Sequence, residues 1–452
     1  MRENIKRFDS LADFKAWRAK DGWDYPNISY IDGPIEKSVH YTDEFIMRWY
    51  DNDTAKTPQF LGNISQTEFM NWVDNASSPC ELAKDGSAFN YLLQTDYTQT
   101  ATGFDGKTAK GSSHYNTDDK TSYLQLSEIK NVNVGLFQNS EEGYKEVRFN
   151  FDTGCPKGFH KWFAHPYWNS SIGAYTKLWG RYPITPITST SSAGTEGINV
   201  AYGESMGTYK YPSDSVWGGD YEKGSWSANL MYAGINKTIT SNSYKALEVT
   251  YWEHLVLSYI FCAYYKTFNV QSIFTGLQGN FTSGYNGSWT NGGTDTLLSH
   301  KGGVTQTDTS NTAYRFMFIE NPLYGQQWIW GAGWLGDNTT GTYYMTFDDY
   351  VANKAVTMSA SDADVVGGKY PTNVNGGYIT KIDVFGVPTA VNGSSTSGFY
   401  DGMWSTNIYN SRVAYLGGTS NHGSLDGVFA RGFAHGAGDQ AWDQRGFVTV
   451  SR

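Results

Sequence analysis

The sequence predicts an α+β, loop-rich fold with few helices and short antiparallel strands, and three observations predict it. Glycine interrupts the chain throughout, at 50 of 452 residues. Aromatic residues reach 16%, with 33 Tyr and 16 Trp, while charged residues make up only 17%. Aromatic, Thr-rich stretches suit strands, and so aromatic a chain is not disordered. The third observation is one long stretch, Tyr244 to Leu277, that reads as the clearest helix in the chain and holds its longest apolar run.

The elements follow in chain order. In residues 5–20, Phe8, Leu11, Phe14 and Trp17 recur at threefold spacing behind a candidate N-cap, Ser10, which predicts a short amphipathic helix. That helix either packs on its own domain or serves as a short N-terminal helical attachment segment. Residues 41–145 alternate apolar pieces with Gly, Asn, Asp and Thr and have no assignment beyond strand and loop. Lys145 to Asp152 reads as a strand. Residues 183–245 are rich in Ser, Thr and Gly and read as long surface loops. The helix in 244–277 has a stop signal at Gly276. Strand and loop follow to the end. The expected division is residues 1–40, an attachment segment; 41–145, the unassigned region; and 146–452, a C-terminal domain.

Several function classes are excluded. A net charge of -10 with no basic run argues against a nucleic-acid partner. The longest apolar run, Leu255 to Tyr265, is too short to span a bilayer, so no membrane insertion is expected. The start "MRENIKR" leads into polar residues rather than an apolar core, so no signal peptide is expected. The three cysteines, Cys80, Cys155 and Cys262, form no CxxC or Cys/His cluster, so no zinc site is expected. Asp/Asn-rich loops could hold Ca2+, but no EF-hand-like spacing occurs, and neither metal nor cofactor is predicted.

No catalytic residue is predicted either. The histidines show no HExxH spacing, and neither a nucleophile elbow nor a phosphate-binding loop occurs. His254 lies within the apolar helix and reads as a core histidine. The adjacent acids Asp118-Asp119 and Asp348-Asp349 read as turn residues, because neighbours on a strand point apart and rarely form a hydrolytic pair. In "QQWIWGAGWLG", Trp328 and Trp330 share one strand face. Together with Trp334 they read as a core layer, with a sugar-stacking platform as the alternative.

The densest grouping of polar side chains on a pliable backbone is Leu416 to Phe447. It holds eight glycines and neither proline nor lysine. Between the glycines stand Asn421, His422, Ser424, Asp426, His435, Asp439, Gln440, Trp442 and Asp443. These offer donors, acceptors and stacking faces, as antibody paratopes do.

Several motifs share an order along the chain. "ENPLYGQQWIWGAGWLGDNTTGTYYM" (320–345) resembles a segment of C-type-lectin-like domains found in bacteriophage tail and host-attachment proteins, a group that includes retroelement variable proteins. Gly417-Gly418, Gly427-Val428-Phe429 and Arg445-Gly446-Phe447 are similar in order and spacing to the C-terminal part of such domains. "FNVQSIFTGL" resembles their helix end, and "GFHKWFAHPYW" with "GRYP" an early strand and the turn after it. "YPNISYIDG" is similar to N-terminal segments of structural proteins in phages of Bacteroidetes hosts. The fold is related to that of sulfatase-modifying factors, but their late cysteine pair has no counterpart after Cys262.

The resemblance implies a C-type-lectin-like fold over 146–452, with 416–447 as a display segment on a rigid scaffold and Gly427 to Ala430 as its buried supporting strand. It implies a virion protein, either a tail receptor-binding component or a capsid fibre, made in the host cytoplasm. Its partners would be a host cell-surface glycan or protein and other virion proteins, and a homotrimer is the expected state. The nine polar residues named above would bind the ligand. Removal of everything after about residue 415 should then abolish adsorption while particle assembly survives. Two alternatives stay open: a tail-associated polysaccharide depolymerase, and a purely structural decoration protein.

Overall fold

The computed structural model describes residues 27–32, 35–40, 43–187, 197–208, 227–276, 288–305, 312–325, 327–348, 365–406, 412–418, 422–436 and 444–452. The helix expected over 5–20 lies outside them.

The expected α+β, C-type-lectin-like fold does not appear. The described residues are about 40% strand and 14% helix, with several antiparallel sheets and three α-helices. Long-range pairing between short segments, which local periodicity does not report, makes strands the dominant architecture.

A five-stranded antiparallel sheet runs, edge to edge, through Phe159–Lys161, Asn133–Asn139, Tyr144–Asn150, Glu44–Tyr50 and Gln59–Gly62. The strand expected from Lys145 is therefore present. Val147 and Phe149 turn inward while Tyr144 and Arg148 turn outward, the twofold alternation of a half-buried strand. A nine-stranded sheet orders Lys245–Glu248, Val448–Ser451, Ala174–Gly180, Tyr123–Lys130, Ser77–Ala83, Phe89–Leu93, Asp96–Ala101 and Ala109–Ser112, with Tyr167–Asn169 paired off Ala174–Gly180. The last strand of the chain thus lies between two others, with Val448 and Val450 fully buried. The chain's end is a sheet component rather than a removable display. Strands from both sides of residue 145 share the two sheets.

An eight-stranded sheet carries Val365–Lys369, Thr342–Met345, Trp328–Asp337, Arg412–Leu416, Arg431–Gly432, Gly402–Trp404 and Asn375–Tyr378, with Gln444–Arg445 parallel beside Trp328–Asp337. Trp328 and Trp330 share a face and enter one core, as the core reading expects, and no surface platform forms there. Trp334 enters the other core. Gly333, at φ +73, sits within an irregularity between Gly331 and Gly336 that inverts the alternation.

The helices are α1 (Gln66–Asp74), α2 (Ala228–Thr238) and α3 (Tyr251–Tyr265). The apolar stretch of the sequence yields α3, but only for 15 residues. Thr250 and Glu253 form a capping box at its start, and Lys266, at φ 60, ends it well before Gly276. Every residue from Tyr251 to Tyr264 is buried, because α3 threads between sheets. Trp49 packs on Tyr259 from the five-stranded side, and Trp334 on Tyr251 from the eight-stranded side. Helix α2 falls inside the expected loop region; its apolar positions Ala228, Met231 and Ile235 pack into the core under the nine-stranded sheet.

Helix α1 has its own capping box: Ser65 Oγ accepts from the Glu68 N–H, and the Glu68 carboxylate accepts from the Ser65 N–H at 2.8 Å. Ser65→Ala should cost about 1 kcal/mol, read as a lower urea midpoint at unchanged slope. No helix among the described residues is long and apolar enough to cross a membrane.

Candidate functional site

The tail segment meets the eight-stranded sheet at an aromatic cluster near the surface. Trp404, at the end of strand Gly402–Trp404, stacks on His422 with ring centres 4.2 Å apart and planes 21° off parallel. Trp328 meets Trp404, Tyr415 and His422 edge-on at 5.2, 4.7 and 5.5 Å. His435 lies 5.3 Å from Tyr415. Trp328 and Tyr415 are buried, whereas Trp404, His422 and His435 are half-buried. Two buried rings thus carry three rings that reach solvent.

A one-turn 3-10 helix, Gly423–Leu425, follows His422. Gln271 Nε2 donates to the Gly423 carbonyl at 2.7 Å and pins this turn to the segment after α3. The hydroxyls of Ser424 and Tyr378 are 2.6 Å apart at the surface. Below, Asp426 is fully buried, 3.9 Å from His422 Nδ1. A Cβ at Gly418 would come within 1.9 Å of the Asp426 carboxylate, and Gly418 has φ +81, so the approach requires glycine. The carboxylate of Asp401 accepts from the Phe429 N–H at 2.8 Å, and burial pushes its pKa well above the usual carboxylate range. The segment is therefore clamped from beneath.

Residues 427–430 are buried but form a turn, not the expected strand. The Ala430 N–H donates back to the Gly427 carbonyl at 3.1 Å, which closes that turn.

Burial lowers the His422 pKa from 6.5 to about 4. The imidazole is therefore neutral through the physiological range and offers a ring face with one donor and one acceptor rather than a charge.

Of the nine residues singled out from sequence, His422, Ser424, Asp426 and His435 are described. His422, Ser424 and His435 lie at or near the surface, whereas Asp426 is a buried brace. Asn421, Asp439, Gln440, Trp442 and Asp443 lie outside the described residues. Trp404, Tyr415, Tyr378 and Gln271 escaped sequence reasoning because they come from separate strands and loops. A tryptophan ending a short strand at a glycine, as in "GMW", was the only local sign.

The other histidines behave differently. His254 is fully buried in α3, and burial, with the Arg431 charge, holds its pKa well below 6.5. It is the core histidine expected. His165 pairs with Asp348 at 3.0 Å, both exposed. Asp118 and Asp119 are exposed in a turn. Among the described residues, no group of three or more His, Cys, Asp or Glu converges as metal ligands would. All three cysteines are free thiols.

The arrangement presents solvent-reaching ring faces beside neutral hydrogen-bonding groups. No protein-family model matches the chain, and no curated protein matches it in sequence.

Proposed function

We propose that the chain is a virion protein of a tailed phage that binds a host-surface glycan or protein through the face built by Trp404, His422, His435, Ser424 and Tyr378. What supports this most is the Trp404–His422 stack, two solvent-reaching rings held on a fully packed base. Recognition groups work best on such a rigid support. The motif order along the sequence supports the phage assignment. Other virion proteins are its assembly partners, and a homotrimer is the proposed state. Avidity across many copies would turn individually weak contacts into useful affinity.

Binding of the purified protein to candidate host cells tests this. Trp404→Ala and His422→Ala should each weaken binding roughly tenfold, the loss of one stacking contact, while the unfolding midpoint of Trp404→Ala stays within reach of the parent. Because His422 is neutral above about pH 5, the loss caused by His422→Ala should be the same at pH 5.5 and pH 8. Unchanged binding by both variants would overturn the assignment of this face.

A further inference from the structure

We propose a second binding site, on the hairpin formed by Tyr167–Asn169 and Ala174–Gly180, for the flat face of a β-linked, gluco-configured oligosaccharide. It lies on the nine-stranded sheet, apart from the Trp404–His422 face, and does not rest on the attachment reading.

Trp168 is 49% exposed, more than any other tryptophan with a described side chain. A single exposed apolar residue means little by itself. Here it has a cross-strand partner: Trp168 is directly opposite Tyr175, with ring centres 5.0 Å apart and planes at 69°. The rings meet at this steep angle, so Tyr175 stands as a wall beside the exposed Trp168 ring. Lys161 Nζ lies 4.9 Å from the Tyr175 ring centre and borders the wall. The hairpin turn adds exposed Ser170 and Ser171.

What lies beneath makes this a built site. The fully buried carboxylate of Glu128 accepts four neutral donors: Tyr91 OH, Tyr167 OH, Asn169 Nδ2 at 2.8 Å and Thr176 Oγ1 at 2.7 Å. Tyr167 and Asn169 flank Trp168 in sequence, and Thr176 follows Tyr175. The residues around both rings are thus tied to one internal anchor. Sinking a carboxylate among neutral donors costs desolvation. A surface hairpin with only a turn to make has no use for that cost. A platform that must hold two rings at a fixed angle does, because preorganisation removes the ordering cost of binding.

The geometry selects the ligand class. A pyranose whose hydroxyls are all equatorial presents axial C–H groups on both faces, which fit an aromatic face. Its equatorial hydroxyls then point sideways, toward Lys161 and the serines. An axial hydroxyl would break the contact.

Titration calorimetry of the full-length protein with cellohexaose tests this, with β-linked mannohexaose, whose 2-hydroxyls are axial, as comparison. Saturable binding to cellohexaose, clearly tighter than to mannohexaose, is expected. Trp168→Ala should weaken it roughly tenfold with no change in the unfolding midpoint, since the side chain is exposed. Glu128→Gln should also weaken it, and Trp404→Ala should leave it unchanged. No heat of binding with cellohexaose, or binding that survives Trp168→Ala, would overturn the site. Equal binding of mannohexaose would overturn the sugar class. Loss in Trp404→Ala but not in Trp168→Ala would assign the sugar to the other face.

Discussion

Replacing Glu248 by glutamine should stabilise the protein at neutral pH and remove that residue's share of the decline in stability between about pH 4.5 and 8. Glu248 ends the strand Lys245–Glu248 and lies opposite Val448 of the C-terminal strand. Its neighbour on that face, Ala246, and the partners Val448 and Val450 all belong to the apolar core under the nine-stranded sheet. Glu248 is 3% exposed, and neither carboxyl oxygen has a hydrogen-bond partner among the described residues. Burial alone pushes its pKa from 4.5 to about 8. Between these values the folded chain holds a proton that the unfolded chain has released. Stability is therefore full below about pH 4.5 and falls as pH rises toward 8. At pH 7 the cost is roughly 3 kcal/mol, at about 1.4 kcal/mol per pH unit across the window below 7. Urea unfolding at several pH values checks it: from about pH 5 to 8 the parent's midpoint should drop relative to that of Glu248→Gln. A parallel decline in both proteins would assign the effect to other groups.

Lys177→Met should have the opposite sign and a similar size. Lys177 leaves the strand Ala174–Gly180 and meets Glu253 of α3 at 2.6 Å, both side chains essentially without solvent contact. The same carboxylate accepts from the Thr250 N–H at 2.9 Å as half of the capping box, and the Glu253 carbonyl accepts from Trp162 Nε1 at 3.0 Å. This one residue ties the nine-stranded sheet to the central helix. Removing only the lysine leaves a buried carboxylate without its ammonium, which costs about 3–5 kcal/mol. The double variant Lys177→Met/Glu253→Gln should recover much of the loss, because it leaves no buried charge and glutamine can still reach the cap. Denaturant midpoints of the two single variants and the double form the cycle that measures it. A single variant as stable as the parent would show that the pair is not a fastener.

Truncation is the wrong tool for testing the tail. Val448–Ser451 pairs with strands on both sides, so removal of everything after 415 strips a strand from inside a sheet. Loss of binding in such a variant would report unfolding, which is why point changes at Trp404 and His422 are the informative ones.

Local signals carried part of this architecture. The apolar run Leu255 to Tyr265 marked a buried helix because a segment apolar on all sides has nowhere else to go. The alternation in Lys145 to Asp152 marked a strand, and the spacing of Trp328 and Trp330 marked a shared buried face. The location of α1 and α2 was not legible: α1 is short, and α2 lies in Ser/Gly-rich surroundings where packing rather than propensity decides. The α+β expectation failed because helices are announced by neighbours in sequence, whereas sheets are assembled by partners far away. Ala246 finds Val450 and Trp179 finds Thr449. The tail was legible as a concentration of polar side chains on a glycine-rich backbone, and His422 and His435 do share one aromatic cluster. Its other members were not legible, because Trp404, Tyr378 and Gln271 reach it from separate parts of the chain.

By itself the sequence determined the chemistry: an aromatic, glycine-punctuated, acidic chain with three widely spaced cysteines, one largely apolar helix and a polar, pliable segment near its end. Only the tertiary structure decided which of those groups meet water. It buried Trp328, Trp330, Trp334 and Asp426, left Trp168 in the open, and placed Glu128 beneath the hairpin that carries it. The physical reason is that side-chain type is a local property, whereas exposure depends on which distant strand lies alongside.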